Sequence, residues 1–228
     1  MISTRFVASI AALLVSTFPI CAQTWTEVGD AGQTLAGVQN TGVVGGNSLT
    51  TIFGTLSSAT DADLFRITIT APTTFSASTV NMTTATSMLD TVLFLFTSNG
   101  LAICMNDDDA SGLVTQSRIP AGNSFTMVLS PGVYILGISL SDNEPVNSSN
   151  QLLFAAGDST SVRGPASGIN PTTLFDFTGG GFPPTGSYQI DLTSAASAVP
   201  EPSTLILASG GALGLIALLR RRAGRASV

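Results

Sequence analysis

The segment Leu64-Phe65-Arg66-Ile67-Thr68-Ile69-Thr70 decides the fold class. Phe65, Ile67 and Ile69 fall on one side of an extended chain, and Arg66, Thr68 and Thr70 on the other. That is the period-two signature of a half-buried β-strand. Working outward, residues 51–56 read as a preceding strand and residues 75–80 as a following, Ser/Thr-rich one. Residues 91–96 are apolar on both faces, as a central strand of a sandwich can be. The Ser98-Asn99-Gly100 turn leads to residues 101–104, so this pair reads as a hairpin. Residues 124–129 and 133–140 predict a second hairpin, hinged at Ser130-Pro131-Gly132. Segments at 152–155, 174–177 and 188–192 add candidate edge strands. No segment between the two termini has sustained helical periodicity. The expectation is an all-β domain over residues 51–193, a single β-sandwich of jelly-roll-like type.

Two regions read as looser. Residues 23–50 are rich in Gly, Thr and Gln and predict a loosely structured N-terminal segment, with Trp25 outside the core. Residues 157–184 carry Asn170-Pro171, Gly179-Gly180-Gly181 and Pro183-Pro184 and predict a long surface loop holding one short strand. Residues 194–199 read as a linker.

The C-terminal stretch has three consecutive parts: Val199-Pro200-Glu201-Pro202, an apolar run over 205–219, and Arg220-Arg221-Arg222 with Arg225 close behind. Fifteen uncharged residues make roughly 23 Å of helix, slightly short of a ~30 Å hydrocarbon core, so the predicted transmembrane helix spans marginally. The arginines resist translocation and place the C-terminus in the cytoplasm. Pro200 and Pro202 keep Glu201 in an extended, exposed backbone that a processing enzyme can bind. A plain C-terminal anchor with a proline-containing stalk is the alternative. The order and spacing of the parts over residues 200–228 closely resemble the PEP-CTERM sorting tail of bacterial envelope proteins. The resemblance implies recognition and cutting by the membrane transpeptidase exosortase. It implies transient anchoring in the inner membrane of a Gram-negative-type bacterium, then passage to the cell surface or extracellular matrix.

The N-terminus agrees with export. Arg5 is the only charge before Glu27, residues 6–20 are nearly continuously apolar, and Ala22 supplies a small residue at the end. Residues 1–22 therefore read as a secretory signal peptide, removed by signal peptidase before Gln23. A lipidated Cys21 is the weaker reading, because Phe18-Pro19-Ile20 lacks the small residues that precede such a cysteine. With Cys21 removed, Cys104 stands alone and no internal disulfide can form.

Composition bounds the rest. Residues 23–199 hold thirteen acidic side chains against three arginines, a net of −10, and the whole chain has neither lysine nor histidine. Such a surface is a poor partner for nucleic acid, because the phosphate-neutralising charges are missing. It is compatible with divalent cations and neutral extracellular polysaccharide. The lack of histidine excludes Ser-His-Asp and Cys-His catalysis and histidine-ligated zinc.

The central residues Gly54-Thr55-Leu56, Asp61-Ala62-Asp63-Leu64-Phe65, the run Leu89-Asp90-Thr91-Val92-Leu93-Phe94-Leu95-Phe96, Asn106-Asp107-Asp108-Asp109 and Gly132-Val133-Tyr134-Ile135-Leu136 follow one another in order. That series resembles the bacterial pre-peptidase C-terminal domain, a β-sandwich appended to secreted peptidases. No peptidase domain accompanies it here, so the resemblance implies a fold and an accessory binding role rather than catalysis.

The acidic clusters are the candidate chemistry. Asp61 and Asp63 sit at the start of a predicted strand, and Asp107, Asp108 and Asp109 in a loop after a hairpin. Calcium takes six to eight oxygens from such loop carboxylates. Asp and Asn also cap turns without any ion, and both readings stand at this point. The sequence favours a non-enzymatic, exported envelope or matrix protein with a structural or adhesive role in the exopolysaccharide layer of a biofilm. A calcium-dependent binding module for polysaccharide or a protein partner is the alternative, and a secreted hydrolase ranks last. The lone-cysteine reading has a direct check. Intact mass and thiol titration of the exported protein should show one free thiol, and a mass with Cys21 bonded to Cys104 would refute it.

Overall fold

The computed structural model describes residues 22–42, 48–80, 89–170, 172–180 and 185–197, all as strands, turns and loops. The predicted signal sequence through Cys21, Val199, and the tail over 200–228 lie outside the described residues. The strand elements form one large, mostly antiparallel sheet and a separate two-stranded one. In chain order they are β1 (Ala22–Thr26), β2 (Gln39–Asn40), β3 (Ser48–Leu56), β4 (Ala62–Ile69), β5 (Ser76–Ser78), β6 (Thr91–Thr97), β7 (Ala102–Asn106), β8 (Arg118–Ile119), β9 (Gly132–Leu140), β10 (Asn143–Val146), β11 (Asp176–Gly179), β12 (Gly186–Thr193) and β13 (Ala195–Ser197).

The alternation that opens the reading holds. Phe65, Ile67 and Ile69 of β4 enter the main core with Leu93 and Leu95 of β6, Leu136 and Ile138 of β9, and Ile190 and Leu192 of β12. The opposite faces of β4, β6 and β9 are buried as well. Leu64, Val92, Phe94, Phe96 and Ile135 build a second core with Leu153, Phe154, Leu174 and Phe177. This is why residues 91–96 are apolar throughout. Phe94 stands at the centre of the second core, with ring centroids 5.7 Å from Phe154 and 5.6 Å, edge-on, from Phe177.

The large sheet runs β7-β6-β9-β4-β13-β3-β12-β5-β8. Its first four strands and its last four face each other across the main core, as the two layers of a sandwich would. The expected separation into two sheets is not observed, because β13 pairs with β4 through Ala195↔Ile69, Ala196↔Thr68 and Ser197↔Ile67, and with β3 through Ala196↔Ser48. The other margin is nearly closed. The backbone N–H of Arg118 in β8 donates to Oδ1 of buried Asn106 at the end of β7 (2.6 Å). A buried hydroxyl seam runs beside it, with Thr79 to Thr91 at 2.8 Å and Thr91 to Ser117 at 2.9 Å. The result is a nearly closed barrel.

Several sequence expectations change. Residues 194–199 read as a linker, yet Ala195–Ser197 is the strand that joins the two layers. Residues 124–129 form a turn rather than a strand. Asn123 Oδ1 accepts from the N–H groups of Phe125 (3.1 Å) and Thr126 (3.0 Å), and this local turn chemistry outcompetes pairing. The β6–β7 hairpin forms as expected. Of the candidate edge strands, residues 188–192 lie inside β12, between β3 and β5, rather than at an edge. Residues 152–155 make only isolated bridges, and of residues 174–177 only Asp176 and Phe177 lie in a strand, β11, which pairs with β10.

Residues 23–50 are more ordered than their composition suggests. β1 runs parallel to β3, Trp25 packs against the main core, and Ala31 is fully buried. The stretch from 157 carries its one short strand, β11. It does not ride free, since Leu174 and Phe177 seal the second core and Arg163 bridges Met105.

Cys104, in β7, is a buried free thiol, and burial pushes its pKa up to about 12, so it behaves as a small apolar side chain. Replacing Phe94 with alanine should cost about 3–5 kcal/mol in denaturant unfolding. Hydrogen exchange in that variant should accelerate first in residues 152–177, the cover over Phe94. A uniform change across the barrel would contradict the two-core description.

Candidate functional site

The pairing register gathers the acidic side chains at one end of the barrel. β4 begins there opposite the end of β9, and β6 begins opposite Leu140. The end of β7, the end of β3 and the start of β12 lie at the same level. Two carboxylate groups result, in each of which the ligand atoms lie within 4.8 Å of one another: Glu27, Asp30 and Asp63, and Asp90, Asp107 and Asp108.

The first group follows from strand periodicity. Asp63 continues the inward face of Phe65, Ile67 and Ile69, and its exposure is 0%. Tyr188 continues the inward face of Ile190 and Leu192 on β12, and its hydroxyl donates to Asp63 Oδ2 at 2.7 Å. Asp63 Oδ1 is buried with no hydrogen-bond partner among the described residues. Glu27 follows β1, its N–H still bonded to Phe53 O (2.8 Å). Its carboxylate accepts from Ala31 N through Oε1 and Thr55 N through Oε2, each at 2.8 Å. Gly54 makes this approach feasible. A Cβ there would collide with the Tyr188 hydroxyl and come within 2.7 Å of Glu27 Oε2. A cavity of about 360 Å³ lined by Glu27, Gly54, Thr55 and Tyr188 opens beside the group.

Burial raises the Asp63 pKa to about 8. The Tyr188 hydrogen bond opposes the rise, and the charges of Glu27, Asp61 and Asp30 reinforce it. Burial, and then the adjoining Asp63 charge, hold the Tyr188 hydroxyl well above the usual phenol value.

The second group is shallower. Burial raises Asp107 to about 6, helped by Asp108 and Asp90 and opposed by Arg163, whose Nη2 lies 3.9 Å from Asp107 Oδ2. Asp90 is raised by burial and then by Asp108 and Asp142.

The sequence-predicted ligands are therefore divided. Asp63 joins Glu27 and Asp30, while Asp107 and Asp108 join Asp90. Asp61 and Asp109 belong to neither group. Asp61 Oδ2 accepts from the N–H and hydroxyl of Ser57, and Asp109 pairs with Arg118 Nε at 3.1 Å. Both act as turn and loop fasteners, the role that the sequence left open beside the metal. Glu27, Asp30, Asp90 and Tyr188 were not singled out as ligands. Only the continuation of period two from Phe65 back to Asp63, and from Ile190 back to Tyr188, could have pointed inward.

The described chain ends at Ser197, three residues before Pro200. Its first and last strands flank the same residue of β3, with Ala22 and Ala196 both paired to Ser48. The PEP-CTERM protein-sorting motif matches at residues 198–222. The match takes in Val199, Pro200, Glu201, Pro202 and Arg220-Arg221-Arg222, and stops before Arg225. It does not reach the central region, and no comparison supports the expected likeness of that region to the pre-peptidase C-terminal domain. Neither a curated protein nor a solved structure matches the chain. The chain thus carries the motif of an exported, exosortase-targeted protein that is anchored and processed at the cell envelope.

The raised carboxylate pKa values fix the sign of a pH dependence. A carboxyl with a folded pKa above its unfolded value binds extra protons in the folded state. Its stabilisation is complete below the unfolded pKa and is lost as pH rises through the folded one. For Asp63 that window runs from 3.8 to about 8, and for Asp107 from 3.8 to about 6. In chelator, thermal melting temperature should fall from pH 5 to pH 8. Asp63→Asn should flatten the fall between pH 6 and 8. A rise across that window would contradict the placement of Asp63.

Proposed function

We propose that this protein is a non-enzymatic component of the cell surface or extracellular matrix, delivered by exosortase processing, with a structural or adhesive role in the exopolysaccharide layer. The observation that carries the reading is the PEP-CTERM protein-sorting motif at 198–222, which begins immediately after the last strand of the barrel. Before processing, the apolar run 205–219 anchors the chain and Arg220, Arg221, Arg222 and Arg225 hold its end in the cytoplasm. A nearly closed barrel with two apolar cores suits an exposed matrix, since it presents few open strand edges. The second reading, a cation-dependent binding module for polysaccharide or a protein partner, is favoured by the convergence of two acidic groups on one end of the barrel.

Replacing Pro200, Glu201 and Pro202 with alanines should leave a membrane-retained chain of unprocessed mass, and the wild type should appear in the extracellular fraction. Normal release of the triple variant would overturn the sorting role. Co-sedimentation of the released protein with matrix polysaccharide tests the adhesive role. A glycan array with and without calcium separates it from the cation-dependent alternative.

A further inference from the structure

We propose that Glu27, Asp30 and Asp63 hold one calcium ion at the acidic end of the barrel, and that this ion fastens the segment following β1 to the start of β4. Three side chains from two distant pieces of chain bring their ligand atoms within 4.8 Å of one another. One of them, Asp63, is wholly buried and keeps an oxygen, Oδ1, without a partner. Its other oxygen is engaged by Tyr188 at 2.7 Å, which fixes the orientation of the carboxyl. Glu27 is equally fixed, each of its oxygens accepting one backbone N–H. These two groups are preset before any ligand arrives, and Asp30, exposed on the outer side, leaves room for water in the coordination sphere.

The compensating charge must come from outside the chain. There is no lysine or histidine anywhere in the sequence. The three arginines of the barrel are committed elsewhere: Arg118 to Asp109, Arg163 beside Asp107, and Arg66 to the carbonyl of Ser98 at the opposite end. Carboxylates this close repel unless protonated or bridged by a cation, and the repulsion grows as water is excluded. An all-oxygen donor set, without thiolate or imidazole and partly open to solvent, matches calcium. Calcium accepts six to eight oxygens in irregular geometry, whereas magnesium demands a strict octahedron.

The ion has a structural consequence. Among the described residues β1 pairs only with β3, and the segment after it returns to the barrel through Glu27, Ala31 and the Val28–Gln39 hydrogen bonds. A cation shared between Glu27, Asp30 and Asp63 would add a cross-link between that segment and β4.

The test uses the full-length chain in detergent at pH 7.5, so it does not depend on processing or on any matrix ligand. With calcium at ten times its Kd, the folding equilibrium should shift about elevenfold and the melting temperature should rise by a few degrees over chelator. Hydrogen exchange should slow at residues 27–31. Asp30→Asn alters an exposed side chain and should fold normally. It should weaken calcium binding at least tenfold, measured by titration calorimetry, and Glu27→Gln should do the same. Asp107→Asn with Asp108→Asn should keep the response. Identical melting in calcium and chelator would overturn the proposal, leaving Asp63 neutralised by a proton alone. So would a response that survives Asp30→Asn and Glu27→Gln but is lost with Asp107→Asn and Asp108→Asn, which would move the ion to the group around Asp90.

Discussion

Three residues, Ala195–Ser197, decide what kind of β-protein this is. Without β13, the strands β7-β6-β9-β4, with β2 beside β4, and β3-β12-β5-β8, with β1 beside β3, would be the two layers of a sandwich. With it, β4 and β3 are joined by hydrogen bonds through one strand, and the two layers become a continuous wall. The opposite margin is drawn together by side chains, where Asn106 accepts the Arg118 N–H and hydroxyls of Thr79, Thr91 and Ser117 satisfy one another out of water. A buried hydroxyl without such partners would be costly, so this seam holds only as a set.

The closure also orders the ends of the molecule. Ala22 and Ala196 flank Ser48 on the two sides of β3, so the described chain enters and leaves beside the same residue. The carboxylates collect where β4, β6 and β12 begin and β3, β7 and β9 finish. Strand direction thus separates the acidic end from the start of β3. The short distance from Ser197 to the sorting motif means that the last wall strand and the motif are nearly contiguous in sequence. Tyr188 and Asp63 belong to the barrel's inward faces, so the site geometry and the closure rest on the same strand register.

Much of this was legible in the sequence. Phe65, Ile67 and Ile69 announced β4, the two-sided apolar run over 91–96 announced a strand covered on both faces, and Asn99-Gly100 announced a hairpin. The sorting tail was legible as well, because its parts are adjacent and each has its own physics: proline stiffness, apolar length and arginine charge. The Ser124–Leu129 reading failed because Asn123 offers the backbone a local alternative that apolar composition does not reveal. β13 was invisible for a related reason: Ala-Ala-Ser has no large side chain to alternate, and its strand character comes from the neighbours that flank it.

What the sequence determined alone was local: which segments are extended, which faces are apolar, that no basic side chain exists to balance most of the acids, and which signal the tail carries. What only the tertiary structure decided was which distant segments meet. Parallel pairing of β1 with β3, insertion of β13 between β4 and β3, and the meeting of Glu27, Asp30 and Asp63 under Tyr188 all join residues far apart in the chain. Such contacts depend on the shape of complementary buried surfaces rather than on periodicity within one segment. A two-residue repeat can say that Asp63 faces inward, but not what waits for it there.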